Sequence, residues 1–371
     1  MKKNTWFIVV GIVVVLGIVG FVFNSKKSSG TTKIVALYPL TGGLASWGES
    51  SQKSTQLAVD EINAKGGVNG KRLEIVYQDH KCDPKEALSI YQQSLAQSKI
   101  FTSSSCSGTV LAIAPSLKND NSVLLATVVA STKISSSSPL VYRNWVIETK
   151  QAEIAGQEIK SLGLKKIGII NEETDFGKGL ATGLQNYLKD SGVAVVADSF
   201  ATGATDIRTQ LTKLKAANVE ALFIAPQTEA SSEVILTQME ELNFKPKLLV
   251  NDIILGAPNL IAKHQALLEG ARGGNFVSKS DKLQGFLDKY KAKYGADCAH
   301  TTACAVAYDT AYMIADAIKA NGDSPQGVAD YMRSVNYQGV SGTTTFDQAN
   351  DRSGVGYVLS EIKGGQVQLV K

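Results

Sequence analysis

The sequence lacks the motifs by which most enzymes are recognised. It has only three histidines, His80, His264 and His300, and none lies in a nucleophile or zinc-binding motif. It has no glycine-rich dinucleotide loop, no Walker loop and no G-x-S-x-G sequence. These absences argue against an enzyme and favour a binding protein that needs no metal and no cofactor.

The main part of the chain also lacks net charge. Four of the 38 Lys and Arg residues lie in the first thirty positions, which contain no Asp or Glu. The remaining positions hold 34 basic and 34 acidic residues. Proteins that bind nucleic acid need a basic face for the phosphates, so this balance argues against nucleic acid as a partner.

Charge is absent from the segment Trp6–Phe23, which is continuously apolar. Its length corresponds to about 27 Å of helix, close to the thickness of the bilayer's hydrocarbon core. A cleaved signal peptide, which would release a secreted protein, is the alternative, but its apolar region is usually shorter and ends in a small-x-small site. No cysteine precedes Cys82, so the lipidation site of a bacterial lipoprotein is missing. We therefore predict an uncleaved membrane anchor and tether over positions 1–32.

Cysteine is scarce, with four residues in the chain. Cys82 and Cys106 bracket a predicted helix and strand, and a bridge between them would contribute roughly 3 kcal/mol; two buried thiols are the alternative. Cys298 and Cys304 flank His300 and are interpreted as a second bridge or as unpaired thiols, because these three residues are too few for a metal site. Bridges form in oxidising compartments, so we expect the folded part outside the cytoplasm.

Short apolar runs alternate with longer amphipathic segments after residue 33. The runs predicted as strands are Ile34–Tyr38, Leu73–Gln78, Ile100–Ser103, Val123–Thr127, Lys166–Asn171, Val193–Phe200, Ala221–Ala225 and Leu248–Asn251. The predicted helices are 48–65, 84–98, 109–118, 151–162, 177–191, 206–217, 231–242, 281–294, 301–321 and 325–335. This alternation predicts an α/β fold with parallel sheets and helices on both faces. A hairpin is predicted over Tyr357–Ile362 and Gln366–Val370.

Segments rich in Gly, Ser and Thr follow the predicted strands. They are Pro39–Gly48, Ser105–Thr109, Val128–Thr132, Asn171–Gly177, Pro226–Glu229 and Asn251–Ile254. Ligands of open α/β sheets bind outside the carboxyl ends of the strands, so these segments are the candidate site. Ser107 and Thr109 can bind a carboxylate at a helix start, or they can simply cap that helix. Trp47 is either a core plug or one wall of a ligand pocket.

Three stretches of the chain resemble one protein family. Residues 59–73, Val-Asp-Glu-Ile-Asn-Ala-Lys-Gly-Gly-Val-Asn-Gly-Lys-Arg-Leu, are similar to the signature of type I periplasmic binding proteins of the branched-chain amino acid class. Asp79-x-x-Cys82-Asp83-Pro84 with Cys106-Ser107-Gly108-Thr109, and residues 174–180, match the same family. The resemblance runs from about residue 33 to the C-terminus.

The resemblance implies two Rossmann-like lobes with parallel sheets, joined by a three-strand hinge and closing on a ligand like a clamp. We place the first lobe at 33–147 plus 277–340 and the second at 148–276 plus 341–371. The resemblance also implies a Cys82–Cys106 disulfide and delivery of the ligand to an ABC-type membrane permease.

The resemblance further implies roles for single residues of the first lobe. Ser107 stands where the family's serine binds the ligand carboxylate, with Gly108 and Thr109 beside it. Val129 and Ser131 stand where a backbone carbonyl and a hydroxyl bind the α-amino group. Trp47 takes the place of a residue that packs on the ligand side chain.

The second lobe departs from the family pattern. Phe176 replaces a residue that is usually tyrosine, so one hydroxyl contact is lost. Gln227 and Thr228 fall where another tyrosine is common. Asp252 takes the place of the acidic residue that pairs with the ligand ammonium. These departures argue against transferring leucine, isoleucine or valine specificity from the family, and they leave an amino-acid-like zwitterion as the expected ligand.

The leading hypothesis is therefore a membrane-tethered extracytoplasmic solute-binding protein that captures an amino acid or a similar small carboxylate or amide. A ligand-sensing ectodomain that acts with a separate signalling partner is the second hypothesis. A hydrolase with a Ser or Cys nucleophile is the third, and it lacks a base in any recognisable place.

Overall fold

The computed structural model describes residues 30–278 and 280–370. These residues form fifteen strands, in chain order β1 Thr31–Tyr38, β2 Arg72–Asp79, β3 Ile100–Ser104, β4 Val123–Thr127, β5 Val141–Asn144, β6 Lys166–Glu172, β7 Ala194–Phe200, β8 Ala221–Ala225, β9 Lys247–Val250, β10 Arg272–Asn275, β11 Tyr337–Gly339, β12 Gly342–Phe346, β13 Arg352–Ser353, β14 Val358–Lys363 and β15 Gln366–Leu369.

The helices of the same residues are α1 Ala45–Ala64, α2 Pro84–Ser94, α3 Ser107–Ile113, α4 Glu148–Ser161, α5 Asp175–Leu188, α6 Arg208–Ala216, α7 Glu229–Glu241, α8 Asp252–Leu255, α9 Pro258–Lys263, α10 Gln265–Leu268, α11 Leu283–Tyr294, α12 Thr301–Asn321 and α13 Pro325–Ser334. Short 3₁₀ turns lie at Ala114–Ser116 and Thr132–Ser136. Several helices begin at side-chain caps. Asp83 caps α2 and accepts from the amides of Lys85 and Glu86, with Pro84 at the first helical position.

The strands form two large sheets. The first has the order β2-β1-β3-β4-β5, and all its pairs are parallel. The second has the order β15-β14-β10-β9-β8-β6-β7 and is parallel from β10 to β7, with an antiparallel hairpin, β14 and β15, at its other edge. The central strands β3, β4 and β8 are buried along their whole length, as expected for strands covered by helices on both faces.

The chain crosses between the two sheets three times. The first crossing lies between β5 and α4, the second between β10 and α11, and the third between β13 and β14. A small antiparallel sheet, β11-β12-β13, precedes the third crossing. The predicted fold class, with two Rossmann-like lobes of parallel sheets joined by a three-strand hinge, is confirmed.

The predicted strands and helices are all present, most with ends within three residues. Helix α2 ends at Ser94 rather than at 98, and α3 ends at Ile113 and continues as a 3₁₀ turn. The sequence did not predict β5, β10, the small sheet or the short helices α8 to α10.

The predicted anchor Trp6–Phe23 lies outside the described residues. Within residues 30–278 and 280–370, no helix combines the length and apolar character needed to cross a bilayer.

Candidate ligand-binding cleft

A narrow cavity of about 20 Å³ lies between the carboxyl ends of the two parallel sheets. Its lining consists of Leu44, Trp47, Ser105, Ser107, Val128, Ala130, Trp145, Phe176, Gln227, Asp252 and Ile253. Each of the six segments that follow the predicted strands contributes at least one of these residues. The volume is close to that of one water molecule, so a larger ligand requires the lobes to separate. The walls are mainly apolar and aromatic with a few polar groups, which is the lining typical of a small-molecule site.

Ser107 is the first residue of α3, and the preceding residue, Cys106, is bridged to Cys82. The backbone amide of Ser131 donates to the Ser107 hydroxyl oxygen at 3.2 Å. The hydroxyl hydrogen of Ser107 therefore stays available to a ligand acceptor. The Ser131 carbonyl in turn accepts from the buried guanidinium of Arg143 at 2.6 Å. Hydrogen bonds thus connect the segments that follow β3 and β4 around the Ser107 hydroxyl.

Three other predicted residues lie beside the cavity rather than on its lining. The Thr109 hydroxyl donates to the Cys106 carbonyl at 2.7 Å, so it caps its own helix. Val129 is buried, and its neighbours Val128 and Ala130 face the cavity instead. Gly108 lines an outer cleft, where an added Cβ would lie 3.5 Å from an Asp175 carboxylate oxygen of the other lobe.

Asp252 brings a carboxylate to the opposite side of the cavity, at the start of α8. The Tyr357 hydroxyl donates to Oδ2 at 3.1 Å, whereas Oδ1 has no hydrogen-bond partner among the described residues. Burial raises the pKa of Asp252. A cationic group of a ligand would supply both the missing partner and the compensating charge.

The remaining second-lobe residues divide between the cavity and the outer cleft. Phe176, on the first turn of α5, lines the cavity with an apolar ring. Gln227 also lines it, and its backbone amide donates to the buried Glu172 carboxylate at 2.8 Å. The Thr228 hydroxyl accepts from the Ser231 amide at 3.0 Å as the cap of α7, and this residue lines the outer cleft. Thr228 is therefore placed to shape the entrance.

Trp47 has features of both alternatives, because it is buried within a core cluster and also lines the cavity. It lines a second chamber of about 250 Å³ as well. The His300 ring stacks on it with ring centroids 3.9 Å apart and an interplanar angle of 15°. Asp252 and Trp145 also border both spaces, so the two are adjacent.

An outer cleft of about 650 Å³ adjoins the cavity and shares Leu44, Ser107 and Gln227 with its lining. Both lobes line it, including residues 81–84 and 106–108 from the first and 172–175 and 202–205 from the second. Lys133 Nζ lies 2.7 Å from Asp175 Oδ1, so a salt bridge spans the two lobes. The cleft and the cavity are therefore adjacent, with both lobes on either side.

Six lining residues were not named individually from the sequence: Leu44, Ser105, Val128, Ala130, Trp145 and Ile253. Five of them lie in the predicted strand-end segments, so their position after a strand was the available signal. Ser105 and Val128 have positive φ angles, 74° and 55°, which are uncommon for residues other than glycine. Trp145 lies on the first crossing between the lobes, where the sequence shows no periodic signal.

The cysteines form two disulfide bridges. Cys82 pairs with Cys106, with a Cα–Cα distance of 5.6 Å, and Cys298 pairs with Cys304 at 6.6 Å. The predicted first bridge is confirmed, and the alternatives for the second pair are resolved as a bridge. In the described part of the chain no group of three or more His, Cys, Asp or Glu side chains is arranged to hold a metal ion.

The chain is similar to known binding proteins over most of its length. A leucine-, isoleucine-, valine-, threonine- and alanine-binding protein of Pseudomonas aeruginosa is 25% identical over 93% of each chain. The crystal structure of a leucine-binding protein from Thermotoga maritima is 24% identical and shares the fold with a TM-score of 0.82, over 92% of this chain and 98% of that one. The crystal structure of a branched-chain amino acid transporter substrate-binding protein from Streptococcus pneumoniae, in complex with isoleucine, is 25% identical with a TM-score of 0.79. The match covers 92% of this chain and 99% of that one.

These relatives are binding proteins rather than enzymes, and their fold is the two-lobed arrangement described above. The profile of the periplasmic binding protein family matches residues 31–366, which include the first large sheet, the small sheet and the second large sheet up to the start of β15. The chain belongs to the periplasmic binding protein family.

Proposed function

We propose that this protein is an extracytoplasmic solute-binding protein that captures an amino acid, or a similar small carboxylate or amide, and delivers it to an ABC-type membrane permease. One observation carries the proposal. The cavity between the lobes presents an available hydroxyl donor, Ser107, on one side and an unpaired carboxylate oxygen, Asp252 Oδ1, on the other. This pair is complementary to a zwitterion.

The polarity of the two groups sets the orientation of the ligand. A carboxylate accepts from the Ser107 hydroxyl, and an ammonium donates to Asp252. Both groups lie where water is largely excluded, so each charge of the ligand needs a partner. An uncharged ligand would leave Asp252 buried without compensation, which is costly. The site therefore favours ligands that carry both charges.

The relatives support an amino acid as the ligand class. The Pseudomonas protein binds five aliphatic or hydroxylated amino acids by its name, and the Streptococcus structure holds isoleucine. Phe176 and Gln227 line the cavity in this chain without a tyrosine hydroxyl. We therefore propose that the ligand shares the amino-acid backbone and that its side-chain preference differs from that of the relatives.

Binding proceeds by closure of the two lobes. We propose the boundaries 33–147 plus 277–353 and 148–276 plus 354–371, because the third crossing lies between β13 and β14 rather than at the expected position 341. A ligand held by Ser107 from one side and Asp252 from the other has contacts that exist together only in the closed state. Such differential contact shifts an open–closed equilibrium toward closure. The closed shape is the form that a permease would recognise.

The N-terminal segment Trp6–Phe23 completes the proposal. We assign it as an anchor that keeps the lobes at the outer face of the cell membrane, beside the permease. Two disulfides are consistent with an oxidising compartment.

A thermal-shift screen of the full chain with the twenty amino acids, small amides and carboxylates tests the binding function. A ligand present at 100 times its dissociation constant adds about 2.7 kcal/mol to the stability of the protein that binds it. At least one amino acid should therefore raise the melting temperature. A screen in which no compound does so would contradict the proposal.

The role of Ser107 is tested on the ligand that this screen identifies. Ser107→Ala removes a hydrogen bond to a charged group, so its dissociation constant should rise at least tenfold. Ser89→Ala, at an exposed serine of α2 in the same lobe, is the matched control and should change nothing. An unchanged affinity for Ser107→Ala would refute the assigned role.

A further inference from the structure

The Cys298–Cys304 bridge closes a short loop that carries His300 directly before α12. Inside the loop the Cys304 amide donates to the His300 carbonyl at 2.9 Å. The Thr302 hydroxyl donates to the Phe276 carbonyl at 2.9 Å, and Phe276 lies on the second crossing between the lobes. The loop is thus fixed at its base by the bridge and on its flank by the hinge.

His300 is held against Trp47 by two kinds of contact. The rings are stacked at 3.9 Å, and His300 Nε2 lies 2.9 Å from the Ser46 hydroxyl, beside Trp47 on α1. Only 5% of His300 is exposed. Burial lowers the pKa of His300 to about 4, so the ring is neutral at pH 7 and packs on the indole as an uncharged aromatic.

The second lobe confines the same pair from the other side. Glu229 Oε1 lies 3.6 Å from His300 Nε2. A Cβ added to Gly256 would lie 3.2 Å from Trp47 Cζ2, which leaves no room for a larger side chain there without displacement of the indole. The Trp47 ring is therefore fixed between His300 and the backbone at Gly256.

The place of Trp47 decides how much space the ligand has. The ring lies between the cavity of about 20 Å³ and the chamber of about 250 Å³ behind it, and it lines both. Asp252 borders both, so the position assigned to the ligand ammonium lies next to this wall. A wall that moved would join the two spaces and admit a longer side chain.

We propose that the Cys298–Cys304 loop is a positioning element for ligand selection: the bridge fixes His300, His300 fixes Trp47, and Trp47 ends the cavity so that amino acids with large side chains are excluded. The proposal rests on the proposed function only for its ligand. His300 and the two cysteines act through Trp47. Their loss is therefore expected to change the selectivity for ligand side chains more than the stability of the fold.

The position of Trp47 can be measured without any ligand, by ¹⁹F NMR of the full chain labelled with 5-fluorotryptophan. The three tryptophans give three resonances, and Trp47→Phe identifies the one of interest. Loss of the stacked ring should shift the Trp47 resonance in His300→Ala, and Cys298→Ser/Cys304→Ser should shift it in the same direction. The Trp6 resonance should stay in place in both variants. A Trp47 resonance that is unchanged in His300→Ala overturns the proposal.

The selectivity claim is measured as the ratio of the dissociation constants of L-phenylalanine and L-alanine. We expect the ratio to fall about tenfold or more in His300→Ala and in Cys298→Ser/Cys304→Ser. An apolar pocket discriminates by about this factor between ligands that differ by one to a few methylene groups. His300→Phe keeps a stacked ring without the nitrogens and should restore the ratio to within about threefold.

An unchanged ratio in His300→Ala would overturn the selectivity claim. If the bridge-free variant does not fold, His300→Ala, in which the bridge is intact, decides the outcome. If no amino acid binds the unaltered protein, the proposed ligand class fails, and the ¹⁹F measurement still decides whether the loop positions Trp47.

Discussion

Glu148 is a buried carboxyl group at the first position of α4, where the chain enters the second lobe. Its Oε1 accepts from the amide and the hydroxyl of Thr132 at 3.0 and 3.3 Å, and Oε2 has no partner among the described residues. The Glu148 carboxyl group lies against Gly179, where any larger residue would collide with it, because a Cβ on residue 179 would overlap Glu148 Oε1. Burial raises the pKa of Glu148 to about 7.

The raised pKa predicts a stability that falls with pH. The folded state binds the Glu148 proton more tightly than the unfolded state, whose ordinary value is 4.5. The contribution of the protonated Glu148 carboxyl group to the free energy of unfolding is therefore fully present below about pH 4.5. This contribution, about 3 kcal/mol in total, is lost as the pH rises through about 7. Glu148→Gln removes this dependence, so its urea midpoint should fall less between pH 5 and pH 8 than that of the unaltered protein.

Glu153→Gln, on the same helix but partly exposed and paired with Lys150, is the control and should keep the original pH profile. Identical profiles for Glu148→Gln and the unaltered protein would show that Glu148 does not titrate in this range.

The sequence predicted which segments line the cavity, but it predicted less well which residue of each segment faces the cavity. All six strand-end segments contribute to the lining, because the carboxyl ends of parallel strands meet at one edge of a sheet. Which residue of a segment faces the cavity depends on local backbone turns. The positive φ of Val128 is an example, since Val128 and Ala130 line the cavity while Val129 is buried behind them.

Helices α4 and α5 pack closely because glycine lies at their contact. A Cβ added to Gly156 would lie 2.2 Å from Tyr187 Cδ1 and could be accommodated only if the helices moved apart. Gly156→Ala should therefore lower the free energy of unfolding by about 1–3 kcal/mol. The measurement is urea denaturation at pH 7.

Gly285→Ala is the matched control, since it lies in helix α11 with no atom within 4 Å of the added Cβ. It should be neutral or stabilising by up to about 1 kcal/mol, because alanine favours the helix. If Gly156→Ala were as stable as Gly285→Ala, this result would contradict the close packing of α4 against α5.

Elements with a strong periodic pattern were predicted from the sequence, and elements stabilised mainly by tertiary contacts were not. Strand β10 reads Arg-Gly-Gly-Asn and has no apolar residue, yet it pairs with both β9 and β14. Strand β5 contains Arg143, a residue rarely expected inside a sheet, which is buried because Asp351 lies 2.6 Å away. Such pairings depend on partners up to 200 residues away, which a local pattern does not reveal.

On the scale of the whole molecule, two kinds of contact hold the lobes together. Buried ones, such as the Thr132–Glu148 hydrogen bonds, lie near the hinge. The Lys133–Asp175 salt bridge lies at the entrance, and its hydrogen bond raises the pKa of Lys133. The Lys133 side chain is 66% exposed, so solvent screens this pair.

An exposed salt bridge contributes little to closure. Lys133→Ala should therefore raise the dissociation constant of the bound amino acid by no more than about fivefold, corresponding to less than about 1 kcal/mol. The small effect should shrink further in 1 M NaCl. Isothermal titration at low and high salt measures it, and a loss of a hundredfold would mean that the entrance bridge, rather than the cavity, drives closure.

The closed lobes are proposed to bind a zwitterion, with its carboxylate at Ser107 and its ammonium at Asp252. The most direct test compares three dissociation constants for the unaltered protein: those of the tightest-binding amino acid, of its α-amide and of its N-acetyl derivative. The N-acetyl derivative leaves the buried Asp252 carboxylate without a cation and should bind about a hundredfold or more weakly. The carbonyl oxygen of the α-amide still accepts from the Ser107 hydroxyl, but without the negative charge, so the α-amide should bind about tenfold more weakly. If either derivative bound within about threefold of the amino acid, the assigned charge pairing would be contradicted.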